Sequence, residues 1–63
     1  MRIKIKDKII EATSVKLIDS NMIKFKSETV TGIAEFDNEG EAQFNFKKLY
    51  SRGFADFSEV TIY

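Results

Sequence analysis

The chain has 63 residues, 43% of them apolar, and ten basic groups against ten acidic, so its formal net charge is zero. It holds no cysteine and no histidine, which excludes a disulfide staple, a zinc site of the usual kind, a Ser-His-Asp triad and a cysteine nucleophile. Zero net charge argues against holding a polyanion by bulk charge, and no apolar stretch approaches the about 20 residues of a membrane span or the shorter core of a signal peptide.

Met1 to Lys6 alternates as a strand, with Ile3 and Ile5 inward and Arg2, Lys4 and Lys6 outward. Asp7-Lys8 reads as a tight turn into a β-branched run, Ile9 to Ile18. The pattern of that run slips from one face to the other, so Ala12-Thr13-Ser14 is expected to hold a bulge or bend where the strand changes sheets. Asp19-Ser20-Asn21 is a second turn, and Met22 to Lys26 a third strand with Ile23 and Phe25 inward.

Thr29 to Phe46 carries the clearest local signal and reads as a β-hairpin. Val30, Gly32, Ala34 and Phe36 share one face of its first arm; Ala42, Phe44 and Phe46 share one face of its second. Asp37-Asn38-Glu39-Gly40 supplies turn residues between them. A competing pattern runs through Ala42, Phe46, Leu49 and Tyr50, which fit helical spacing with Gly53 as the stop. Against the helix, Phe44 leaves that stripe and Phe44-Asn45-Phe46 is a poor helix former. The reading adopted is a strand to Phe46, then a short helical turn over 47–52. Phe54 and Phe57 are expected to tuck under the sheet, and Ser58 to Tyr63 to form the last strand.

The expectation is one mainly β domain over 1–63: a small antiparallel sheet, sandwich or partly open barrel of five or six short strands, with at most one short helix near 47–52. A chain this short buries only about 60% of its unfolded surface, so it depends on dense packing or on oligomerisation. Residues 1–26 carry seven basic and three acidic groups, and residues 27–63 the reverse. Cross-strand charge pairs between the halves are the expected consequence.

Candidate binding residues are few. Arg2, Lys4 and Lys6 would join Lys24 and Lys26 in one basic stripe if their two strands neighbour each other through the second. That stripe would guard an edge, dock an acidic protein or track phosphates. Arg52-Gly53-Phe54-Ala55 matches the first four positions of the RNA-recognition signature, which would let Phe54 stack on a base. Asp56 and Glu59 occupy its aromatic positions, however, and burial is the other role open to Phe54. Tyr63 ends an expected edge strand. Glu35-x-Asp37-x-Glu39-Gly40 resembles the start of a calcium loop, but the closing position is Phe46 instead of a glutamate. A hairpin tip is the reading adopted. No glycine-rich phosphate loop, cofactor motif or catalytic spacing is present, and no enzymatic activity is expected.

The opening RIKIKDKIIEATSVKLIDSNMIKF resembles the short orphan β-rich proteins of phages and prophages of low-GC Gram-positive bacteria. The composition fits an A/T-rich genome, with eight Ile and eight Lys against two Leu and two Arg. The resemblance implies a small non-enzymatic accessory: a virion component, or an inhibitor that binds a host enzyme or a defence protein in the cytoplasm of the producing or infected cell. The expected function is therefore a protein-binding module. An exposed edge strand, Met1 to Lys6 or Glu59 to Tyr63, would pair with a protein partner or with itself. The alternatives are a small nucleic-acid-binding barrel using the basic stripe, and a structural homo-oligomer.

Overall fold

The computed structural model describes all of Met1–Tyr63. Alternation of Ile with Arg and Lys makes β1 (Arg2–Ile5), which pairs antiparallel with β2 (Lys8–Glu11). The Lys6-Asp7 turn between them holds Lys6 at φ 57°, an uncommon conformation for a residue with a Cβ. The Lys6 N–H donates to Ser58 Oγ at 2.8 Å, which ties this strained turn to the far end of the chain.

The bend expected after β2 is present. The Ala12 N–H donates to Met1 O (2.6 Å), inside the first sheet, while the Thr13 N–H donates to Lys26 O (2.7 Å), in the second. Consecutive amides thus serve different sheets. Beyond the bend, β3 (Ser14–Ile18), β4 (Met22–Lys26) and β5 (Thr31–Glu35) form an antiparallel meander. Its second turn is built on Ser27, whose Oγ accepts from the Thr29 and Val30 N–H groups. Val30 lies in this turn and is 45% exposed, so it is not an inward strand residue as expected.

The second arm of the expected hairpin is not a strand. Glu39–Arg52 forms one 14-residue helix, α1, in place of the short turn near 47–52. Asn38 is extended and its Oδ1 accepts from the Glu41 N–H at 2.9 Å, while Gly53 at φ 69° donates its N–H to Leu49 O at the other end. The segment read as turn chemistry is therefore a helix start, with Asn at the cap and Glu three residues on. The helix buries Ala42 and Leu49 fully, half-buries Phe46 and leaves Phe44 64% and Tyr50 63% exposed, so the stripe that helical spacing selects holds except at Tyr50. Asn38→Ala should remove about 1 kcal/mol, read as a lower urea midpoint that Asn38→Asp largely keeps.

After α1, β6 (Phe54–Asp56) runs parallel to β1, and β7 (Thr61–Ile62) pairs antiparallel with β5. The result is mainly β: seven strands in two sheets, ordered β2-β1-β6 and β3-β4-β5-β7, with one helix and no closed barrel. The strand count exceeds the expected five or six because the Ile9 to Ile18 run divides at its bend and Phe54–Asp56 adds a strand, two gains that outweigh the hairpin arm that is helix. The core draws on both sheets and the helix: Ile3, Ala55 and Phe57 meet Ile23, Phe25, Ala34 and Phe36, with Ala42 and Leu49. No helix is long and apolar enough to cross a membrane.

Candidate functional site

Strand order decides which backbone groups are free to bind anything. β1 was expected at an edge, but it is the centre strand of its sheet, between β2 and β6. Its main chain is saturated by β2 on one side and by β6 on the other, where Arg2 N–H meets Gly53 O and Phe57 N–H meets Lys4 O. The exposed edge in that hairpin is β2.

The register shows which groups that edge offers. Met1 and Ala12 exchange both main-chain bonds, so Ile3↔Ile10 and Ile5↔Lys8 are the bonded pairs of the ladder. Ile9 and Glu11, which alternate with them, aim their N–H and C=O groups away from β1. Neither residue takes part in the bonds outside the ladders. Between this edge and the β4–β5 turn lies a groove of about 400 Å³, lined by Ile9, Ile10, Glu11, Thr13, Glu28 and Val30 among others. Ile9 is 55% exposed there. The groove thus offers unpaired main-chain groups, apolar walls and two carboxylates. Of its three apolar lining residues, Ile9 and Ile10 were visible in the sequence only as a pattern slip and Val30 as a residue assigned to the core.

The chain matches no protein-family model, no curated protein and no solved structure.

The residues singled out from the sequence lie elsewhere and do not converge. Arg2 and Lys4 are exposed on β1, with Lys6 in the turn after it, whereas Lys24 and Lys26 are exposed on β4 in the other sheet. The condition for a single stripe, that the two strands neighbour each other through the second, is not met because the chain bends between β2 and β3. Nor do these lysines guard an edge, since β1 and β4 are both interior strands. The expected charge pairing between the two halves is also missing. The one salt bridge joins the N-terminal ammonium to Glu11 at 3.3 Å, and Lys24 stands opposite Lys16, a like-charged cross-strand pair.

Phe54 is half-buried on β6, in register with Arg2. Its neighbour Asp56 accepts from the Ser58 hydroxyl and the Ser58 N–H. These bonds outweigh partial desolvation and, with the charges of Lys4 and Lys48, hold its carboxyl below the usual aspartate range. The position that a base-stacking strand would give to an aromatic is thus kept ionised. Tyr63 is exposed, and its hydroxyl donates to Glu35 Oε1 at 2.6 Å. That bond, then the carboxylate charge and slight desolvation, push the phenol above its ordinary value. Its main chain exchanges both bonds with Ile33, so Tyr63 extends the β5–β7 ladder, and β7 is an edge strand of its sheet as expected, although only two residues long.

Proposed function

We propose that the protein is a non-enzymatic protein-binding module that captures an extended segment of a partner by adding it to the β2 edge. The observation that carries this reading is the run of unpaired main-chain groups at Ile9 and Glu11 beside the groove. Strand addition takes its affinity from main-chain hydrogen bonds and its specificity from alternate side-chain pockets. The segment best suited to this site places an apolar side chain against Ile10 and Val30 and a basic one near Glu11 and Glu28. Together with the resemblance to phage and prophage proteins, this supports an accessory or inhibitor that acts on a host or defence protein.

Ile9→Pro tests the reading with little cost to the fold, because proline is tolerated where the lost N–H faces out of the sheet. A tagged pull-down from a low-GC Gram-positive lysate, treated with nuclease, should retain one stoichiometric protein on the native chain and lose it on Ile9→Pro. Equal retention by the two chains would sink the edge. Material released by nuclease alone would point to nucleic acid instead. An amide NMR spectrum of Ile9→Pro, native outside β2, establishes that the fold has survived.

A further inference from the structure

The two ends of α1 gather opposite charges that form no ion pair within the chain. Towards its C-terminal end, Phe44, Lys47, Lys48, Ser51 and Arg52 line a groove of about 430 Å³ that contains no carboxylate. At its N-terminal end, Glu35, Asp37, Glu41 and Glu59 line a second groove, about 220 Å³, that contains no cation. None of these charges has an ion-pair partner within the chain, whose one salt bridge lies at the N-terminus. Nor do the carboxylates gather as a metal site would require.

We propose that α1 carries a self-association surface that pairs two copies of the chain with their α1 helices antiparallel. The occupant is a second copy because α1 carries both signs on one face, Glu41 near its start and Lys48 and Arg52 towards its end. Glu41, Phe44, Lys48 and Arg52 follow one another at spacings of three and four, so they share a face. Aligning Glu41 of one copy with Lys48 of the other also brings Arg52 to the start of the partner helix, where Asp37 precedes the Asn38 cap. Both contacts occur twice across the two-fold axis. That axis then passes beside Phe44, which is 64% exposed in the monomer, and brings the two rings together. A self-complementary patch of this kind closes as a dimer and leaves no open end for a filament. Lys48 Nζ lies 5.9 Å from the Phe44 ring centroid, so the cation already stands beside the central contact.

The pairing is small and largely polar, so it should be weak and sensitive to salt. Sedimentation velocity over a concentration series at low and high ionic strength reads it directly. The native chain should approach twice 7.3 kDa at low salt and return to monomer at high salt. Lys48→Glu alone and Glu41→Lys alone should each raise the dissociation constant at least about tenfold, the effect of about 1.4 kcal/mol. An equimolar mixture of the two variants should recover the dimer, because each mixed contact again joins opposite charges, and the double variant should recover it too. A native chain that stays monomeric at low salt would overturn the proposal. So would a dimer that ignores both charge reversals, or single variants that fail to recover on mixing. A dimer abolished by Ile9→Pro but indifferent to Lys48→Glu would place self-pairing at the β2 edge, and α1 would then carry no interface.

Discussion

Phe57→Ala is expected to leave the protein largely unfolded at physiological temperature. Removing a buried Phe costs about 3–5 kcal/mol, while a chain of this length holds in total only about 3–9 kcal/mol at the usual value per residue. Phe57 is fully buried just past the end of β6. Its N–H donates to Lys4 O at 2.7 Å, which fixes it to the first sheet. Its ring meets Phe36, just past the end of β5, edge-on at 5.3 Å and Phe25 of β4 at 6.2 Å. Such pairs contribute about 0.5–1.5 kcal/mol beyond the area they bury. The side chain therefore joins the two sheets, and alanine would leave a void that the surrounding strands cannot close. Urea unfolding followed by circular dichroism measures the effect, with Phe57→Leu as the smaller truncation. A Phe57→Ala midpoint within error of the native one would show that the sheets are held together by something else.

Gly32→Ala is the second large effect, and its cause is space, not backbone conformation. Gly32 lies on β5 directly opposite Phe25 in the ladder. A Cβ there would come within 2.5 Å of Phe25 Cζ and 2.9 Å of Cε2. Phe25 is 1% exposed and meets Phe57 edge-on, so the ring cannot withdraw without disturbing the contact between the sheets. Overpacking of this kind costs about 1–3 kcal/mol, against a gain of about 0.4–1 kcal/mol from the stiffer unfolded chain. The net expectation is a clear loss. A double-mutant cycle isolates the cause: Phe25→Leu should cost less in the Gly32→Ala background than in the native one. Additive losses would mean that the two residues do not collide.

These variants bear on function because they test the scaffold that sets the β2 edge and the α1 face. Ile9→Pro and the charge reversals on α1 act at exposed positions, and their readouts are partner capture and mass. A variant that fails in all of them at once would report unfolding, so the two kinds of experiment belong together.

Much of the fold was legible in the residues taken one at a time. Alternation in Arg2–Ile5, Met22–Lys26 and Thr31–Glu35 identified three strands and their inward sides, since a strand repeats every two residues whatever its neighbours. The face change around Ala12-Thr13-Ser14 located the bend between the sheets, and Gly53 marked the end of the helix. Two features were not legible. Glu41 to Phe46 satisfies both a period of two and a period of 3.6 at its apolar positions. Its helical form prevails because that arrangement buries Ala42 and Leu49 against strands that lie far away in the sequence. Strand order was the other. That β1 lies inside its sheet depends on the parallel pairing of Phe54–Asp56, about fifty residues downstream, and no local pattern encodes such a partner. That pairing is why β1 is not an edge and β2 is, while the basic stripe dissolved because the chain bends between β2 and β3. The sequence by itself determined most of the strands, the bend between the sheets and the absence of cysteine and histidine. The tertiary structure alone decided which edge stays open and which helical face stays bare, because both depend on long-range pairing that buries one surface and leaves another unpaired.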